Sequence, residues 1–130
     1  MPKPLLVLDF DGVIHGYASG WKGPGVILDS PVPGAADFIE AASAHFTISV
    51  FSSRSKSLRG RWAMKRYMRA LLGDRTPADA FHTGDFLHEE IRYPWFKPAA
   101  FLTIDDRALT FTGEWPEMET LKSFRPWNKR

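Results

Sequence analysis

The stretch PLLVLDFDGV, residues 4–13, decides the fold. It begins with an aliphatic run that ends at Leu8, and carboxylates follow at Asp9 and Asp11. Four apolar residues ahead of a glycine-containing turn predict a strand that is buried on both faces, as in a parallel sheet. Open α/β sheets bind ligands beyond the carboxyl ends of their strands, so both carboxylates are expected at a site. Since side chains alternate along an extended chain, they are also expected to point the same way.

A second acidic pair, Asp105-Asp106, follows another apolar run that ends at Ile104. Acidic residues are common in turns, so either pair alone is explained by a strand that ends in a turn. Two parallel strands, however, deliver their ends to the same sheet edge, and this favours a hard-cation site. Oxygen-only ligands suit Mg²⁺, which binds one or two carboxylates plus water and substrate phosphate. We therefore predict Mg²⁺ as the cofactor.

The composition is that of an ordinary globular protein of one domain, residues 1–130. Hydrophobic residues make up 44% of the chain and charged residues 25%. There is no cysteine, which excludes disulfides, thiolate zinc sites and cysteine nucleophiles. No apolar run approaches the length of a membrane span, and no signal sequence precedes the first strand, so a cytoplasmic location is expected.

Strands and helices are predicted to alternate, which is typical of an α/β fold with a parallel sheet. The apolar pattern predicts helices over 34–44, 55–72 and 117–122, and strands over 46–51, 91–95 and 101–104. Pro94 would place the 91–95 strand at an edge. Residues 109–116 suggest a hairpin or fifth strand, and the tail from Phe124 to Trp127 could fold back on the core. Glycine and proline are dense in residues 14–33, which indicates that no long helix forms there.

The helix predicted over 55–72 has an unusual charge. Residues 54–69 hold seven basic side chains and no acid, so the other ten basic residues face fifteen acids and the rest of the chain is net −5. Such runs are usually a solvated face. The one-sided charge also fits a polyanionic partner, nucleic acid above all. The apolar residues of this helix fall on one broad arc that includes Leu58, Trp62 and Met64.

Four short motifs in order resemble the haloacid dehalogenase-like (HAD) superfamily. The first, Asp-x-Asp-x-[Thr/Val], is matched by Asp9 to Val13, and the second, a serine or threonine after the next strand, by Ser52. The third is a lysine, matched by Lys97, and the fourth is the acidic pair Asp105-Asp106. The resemblance spans residues 5–107 and extends to small HAD-like proteins of bacteria and their phages. It implies a three-layer Rossmann-like parallel sheet with helices on both faces, a flap over about residues 14–33, and little or no cap domain.

The resemblance also implies roles for these residues. Asp9 would be the nucleophile that forms an aspartyl-phosphate, and Asp11 the acid that protonates the leaving group and later activates water. Mg²⁺ would be held by the Asp9 side chain, the Asp11 backbone carbonyl and Asp105, with Asp106 acting through water. Ser52 and Lys97 would neutralise the phosphoryl group.

Two of these assignments have rivals in the residues themselves. Ser52 can instead cap the following helix, and the adjacent Ser53 leaves the choice of functional serine open. Lys97 can be a plain surface lysine.

These observations predict a Mg²⁺-dependent phosphomonoester hydrolase with an open site. An open site suits bulky substrates, and the basic helix over 54–69 favours a nucleotide or a nucleic-acid end. The alternative is a non-enzymatic nucleic-acid-binding module on the same scaffold, because a fold does not imply a function. Phosphotransfer to an acceptor other than water also stays open. The substrate and the oligomeric state are not predicted.

Overall fold

A computed structural model describes residues 2–78 and 85–129, and its centre is a three-stranded parallel sheet. The strands are β1 (Leu5–Leu8), β2 (Thr47–Val50) and β3 (Leu102–Ile104), in the order β2-β1-β3. Leu6 pairs with Ile48 on one side and with Leu102 on the other. The prediction of an α/β fold with a parallel sheet is confirmed. The central position of β1 brings its carboxyl end beside those of both neighbours.

In the described ranges, four helices and two short 3₁₀ turns connect or follow the strands. The helices are α1 (Ala35–Ala42), α2 (Leu58–Leu72), α3 (Leu87–Glu90) and α4 (Met118–Lys122), and the 3₁₀ turns are Ser53–Lys56 and Trp127–Lys129. The helix predicted over 55–72 begins later, at Leu58. The reason is Ser57, which is extended and whose hydroxyl accepts a hydrogen bond from the Gly60 amide at 2.9 Å, as an N-cap does.

Two predicted β elements are wrong. In the segment 91–95 only Arg92 bridges the sheet, through two backbone hydrogen bonds to β2 at the edge, and Pro94 follows too soon for a strand to form. Residues 109–116 form neither a hairpin nor a strand. Their apolar side chains are exposed instead of being buried in a sheet, as Trp115 shows at 87%. The sheet therefore has three strands within the described residues.

The core lies between β1 and the inner faces of the two longer helices. Ile39 of α1 and Met64, Met68 and Leu72 of α2 are fully buried with Leu6, Leu8 and Phe10. The predicted apolar arc of α2 is only partly correct, because Leu58 and Trp62 are 75% and 61% exposed. Among the described residues, no helix has the length and apolar character needed to cross a membrane.

The flap, residues 14–33, contains no helix and no regular strand. Backbone hydrogen bonds close its base, from Gly16 to the Ser30 carbonyl at 3.0 Å and from Val32 to the Ile14 carbonyl at 2.8 Å. The predicted return of the C-terminal tail is confirmed. The Trp127 indole N–H donates to the Gly12 carbonyl at 2.7 Å, and the Asn128 amide donates to the Gly16 carbonyl.

Candidate active site

Three carboxylates meet where β1 and β3 end. Asp9 follows β1, Asp105 and Asp106 follow β3, and one oxygen from each lies within 4.8 Å of the other two. The backbone fixes this arrangement, because the Asp9 amide donates to the Ile104 carbonyl at 3.0 Å and so ties the two strand ends together. The Asp105 side chain accepts a hydrogen bond from the Arg107 amide at 2.9 Å. The sequence correctly predicted that these acids share one sheet edge. We call them the acidic cluster.

Asp106 is held directly over the turn that follows β1. Gly12 is buried with φ of +87°, and a Cβ atom there would overlap Asp106 Oδ2 and lie 2.8 Å from Cγ. Only glycine fits this position, for steric as well as conformational reasons. The other carboxylate oxygen, Asp106 Oδ1, is buried and has no hydrogen-bond partner among the described residues. A buried oxygen without a partner is costly, so the cluster is suited to an additional ligand.

Crowding of the carboxylates disfavours charge on Asp9. Burial, a hydrogen bond with Asp106 and the nearby charges of Asp105 and Asp106 together raise the pKa of Asp9 to about 8. A bound cation acts in the opposite direction, because a positive charge favours the ionised carboxylate. The donor set is all oxygen, which suits a hard divalent cation such as Mg²⁺. Asp9, Asp105 and Asp106 thus fit the predicted metal, and the backbone carbonyl of Asp11 remains a predicted fourth ligand.

Asp11 does not join the acidic cluster, contrary to the expectation that it points the same way as Asp9. Regular strand geometry ends at Leu8, so alternation does not extend to Asp11. Its carboxylate accepts hydrogen bonds from Arg54 Nε at 3.0 Å and Nη2 at 3.1 Å, and it lies 2.9 Å from His15 Nδ1. Although burial alone would raise the pKa of Asp11, the hydrogen bonds from His15 and Arg54 hold it below its ordinary value. The structure therefore presents Asp11 as an ionised partner of Arg54.

His15 completes this arrangement from within the core. The side chain is 1% exposed, and its Nε2 accepts a hydrogen bond from the Asp29 amide at 3.0 Å. Because Nε2 accepts this bond, the neutral ring carries its proton on Nδ1. The Nδ1–H group is then the donor in the hydrogen bond to Asp11. His15 also packs against Phe10, Tyr17 and Tyr67. We interpret its role as positional.

Arg54 links Asp11 to the flap. Although it falls within the basic run expected to form a solvated face, it is fully buried, which corrects that expectation for this residue. Its Nη1 donates to the carbonyls of Gly23, Pro24 and Val26 at 2.8–3.1 Å. Its guanidinium also lies 4.8 Å from the ring centre of Trp21. One buried cation therefore holds both the second acid of the motif and the middle of the flap.

Ser52 acts as a cap in this structure. Its hydroxyl accepts a hydrogen bond from the Arg54 amide at 3.0 Å, while its own amide donates to Ser55 Oγ at 3.1 Å. This is the reciprocal capping-box pattern at the start of the 3₁₀ turn. The side chain is buried, whereas the neighbouring Ser53 is exposed. The capping interpretation is thus confirmed, and a phosphate-binding role for either serine remains a prediction.

Lys97 lies on the segment between α3 and β3 and is exposed. It makes no hydrogen bond or ion pair with any residue in the described ranges. Its phosphate-binding role also remains a prediction.

The sequence did not predict two contributors to the site, Arg54 and Trp127. Arg54 follows the carboxyl end of β2, and Asp11 follows that of the neighbouring parallel strand β1. Because these ends lie at the same edge of the sheet, the sequence held a signal for their contact. Contacts as distant in sequence as that of Trp127 with Gly12 leave no local pattern.

The comparisons with known proteins assign no family. No family model, no curated protein and no solved structure matches this chain.

Proposed function

We propose that this protein is a Mg²⁺-dependent phosphomonoester hydrolase of the HAD type, with an open site beneath the flap and no cap domain. The observation that carries the proposal is the acidic cluster. It joins the ends of two adjacent parallel strands and includes a buried carboxylate oxygen that has no hydrogen-bond partner in the described part of the chain. The ordered motifs from Asp9 to Asp106 support the same conclusion, as does the lack of any helix or strand in the flap.

The proposed reaction begins with the carboxylate of Asp9. One of its oxygens attacks phosphorus, the bond between phosphorus and the ester oxygen breaks, and an aspartyl-phosphate forms while the alkoxide leaves with a proton. Water then attacks the phosphorus, which releases phosphate and restores the carboxylate. Asp9, Asp105 and Asp106 would hold Mg²⁺, which, when bound, neutralises charge on the phosphoryl oxygens.

Asp11 is proposed to supply the proton to the leaving group and to take one from the attacking water. The observed contacts set a condition on this role, because Arg54 and His15 favour the ionised carboxylate. The Asp11 carboxyl group must therefore move away from Arg54 to take up a proton. Since Arg54 is also bonded to flap carbonyls, we propose that movement of the flap accompanies this step.

The first test is phosphate release with Mg²⁺ from an aryl phosphate, from nucleoside monophosphates, and from oligonucleotides phosphorylated at either end. Asp9→Asn should lower the rate by about 10³-fold or more, because an amide does not attack phosphorus as a carboxylate does. Asp74→Asn is a matched control, since Asp74 is exposed just beyond α2. Metal binding is measured separately by titration calorimetry, in which Asp106→Asn should weaken the affinity for Mg²⁺.

Two results would contradict the proposal. Equal rates in the wild-type and Asp9→Asn proteins would exclude Asp9 as the nucleophile. If no substrate of the panel is turned over and Mg²⁺ does not bind, the phosphatase is excluded, and the non-enzymatic nucleic-acid-binding module becomes the better proposal.

A further inference from the structure

The exposed face of α2 carries one tryptophan among cations. Trp62, Lys65, Arg66 and Arg69 follow one another at helical spacing, so they form a single stripe along the helix. Trp62 is 61% exposed, and the three cations are exposed as well. The inner face of the helix is already filled by its methionines and Leu72, so this stripe contributes nothing to the core.

The segment 88–95 forms the opposite wall of a cleft along this stripe. One cavity of about 510 Å³ reaches from α2 to Ile91 and Tyr93, and a second of about 540 Å³ reaches from α2 to Trp95. Both cavities are lined by Arg61, Trp62 and Lys65. They are therefore two parts of one surface, which we call the α2 cleft.

Cations and aromatic rings alternate within the α2 cleft. The Arg61 guanidinium lies 4.1 Å from the ring centre of Trp95, and Arg66 lies 4.7 Å from that of Trp62. Lys65 is 5.6 Å from the ring of Tyr93, whose backbone carbonyl accepts a hydrogen bond from Arg61. These pairs keep flat apolar faces beside fixed positive charges. Trp62 and Trp95 remain 61% and 44% exposed, which leaves ring surface for a ligand.

The charge of the α2 cleft selects an anionic ligand. Among the described residues, Glu89 is the one carboxylate that lines it, and His88 lies at one end. Five cations line its two parts, namely Arg59, Arg61, Lys65, Arg66 and Arg69. A positive groove with aromatic side chains is how proteins bind single strands, since the phosphates contact the cations and the bases stack on the rings. A duplex hides its base faces, so the rings favour a single strand. We propose that the α2 cleft binds single-stranded nucleic acid.

The position of α2 relates this surface to the acidic cluster. The helix follows the turn in which Arg54 contacts Asp11, and its 15 residues extend about 22 Å from that end. A strand bound along the stripe would thus have one end near the helix start that follows Arg54. The binding itself does not rest on the proposed hydrolysis, and it is measured without Mg²⁺.

The test is fluorescence anisotropy with labelled oligothymidylate and oligouridylate in EDTA, over a series of salt concentrations. If the five cations each neutralise one phosphate, the logarithm of affinity should fall with the logarithm of salt with a slope of about −3.5. Comparison of the two oligonucleotides shows whether DNA or RNA is preferred. Tighter binding of these single strands than of a duplex of equal length is expected.

Two matched pairs of variants locate the binding. Trp62→Ala should weaken binding about tenfold or more, because one stacked base is lost, whereas Trp115→Ala removes an 87% exposed tryptophan outside the cleft and should not. Lys65→Ala should weaken binding and make the salt slope shallower by about 0.7, whereas Lys122→Ala on α4 should change neither. Circular dichroism melts check that each variant is folded, as expected for exposed positions.

The proposal is overturned if the oligonucleotides do not bind, or if Trp62→Ala binds like wild type while heparin and duplex compete as well as a single strand. The latter result would describe a general polyanion surface without base stacking. Neither result bears on phosphate release, which the Asp9→Asn comparison tests independently.

Discussion

At the scale of single residues, the candidate site depends on Gly12, whose lack of a side chain leaves room for the Asp106 carboxylate. Gly12 has a positive φ and lies against Asp106, so any side chain would displace the acid from the acidic cluster. The same residue offers its carbonyl to Trp127. Gly12 thus contacts both Asp106, which follows β3, and Trp127 in the C-terminal tail.

Gly12→Ala is therefore expected to abolish Mg²⁺ binding and to destabilise the fold by more than the roughly 1 kcal/mol of backbone strain that a positive φ imposes. Gly113→Ala is a matched control, because its φ is +100° and nothing lies within 4 Å of a Cβ there. The measurements are urea unfolding and metal titration. If both variants lose the same amount of stability and of Mg²⁺ affinity, the overlap with Asp106 does not contribute to either.

Arg54 supports a second prediction at this scale. Arg54→Met leaves Asp11 without its cation and three flap carbonyls without a donor, so a loss of about 3 kcal/mol in the free energy of unfolding is expected. Arg75→Met removes a partly exposed ion pair with Asp37 and should cost no more than about 1 kcal/mol. Urea unfolding of both variants makes the comparison. A small effect for Arg54→Met would mean that the flap does not depend on this side chain.

At the scale of elements, α2 has two different faces. Its inner face is apolar and contributes Met64 and Met68 to the core, and its outer face carries the α2 cleft. Between the two lies Tyr67, whose hydroxyl donates to the Asp29 carbonyl at 3.0 Å at the end of the flap. The helix is thereby connected to the flap as well as to the sheet.

Tyr67 gives the stability of the protein a dependence on alkaline pH. Burial, with a smaller effect of Asp29, raises the pKa of Tyr67 from its ordinary 10.0 to about 12. The folded state therefore favours the neutral phenol, and its contribution is complete below pH 10 and is lost as pH rises towards 12. Because Tyr67 is partly exposed, this loss should be about 1–2 kcal/mol.

The check is urea unfolding of the wild-type and Tyr67→Phe proteins at several pH values from 8 to 12. Phenylalanine has no hydroxyl to ionise, so the stability advantage of wild type should shrink by that amount over the alkaline range. An advantage that stays constant with pH would contradict the assignment.

At the scale of the whole molecule, the order of the main elements was predictable and the long-range contacts were not. The apolar run ahead of Asp9 and the one ahead of Asp105 each gave a strand, because a buried strand needs a continuous apolar stretch. The segment 91–95 was also predicted to be a strand, but only a single β-bridge forms there, at Arg92. A local sequence pattern does not show which distant residue a charged side chain will pair with. For this reason Asp11 was expected to point the same way as Asp9, whereas it lies against Arg54.

The contact between Trp127 and Gly12 has a consequence for how the protein folds during its synthesis. It joins residues 115 positions apart, so it closes a loop that spans most of the chain. During synthesis β1 leaves the ribosome more than a hundred residues before Trp127, which contacts the turn at Gly12 (the two are 115 positions apart). A nascent chain that stops before Trp127 can pair its strands but cannot secure the turn at Gly12. The sheet edge that carries the acidic cluster is thus completed only after Trp127 has been synthesised, and closure over so long a loop predicts slow final folding.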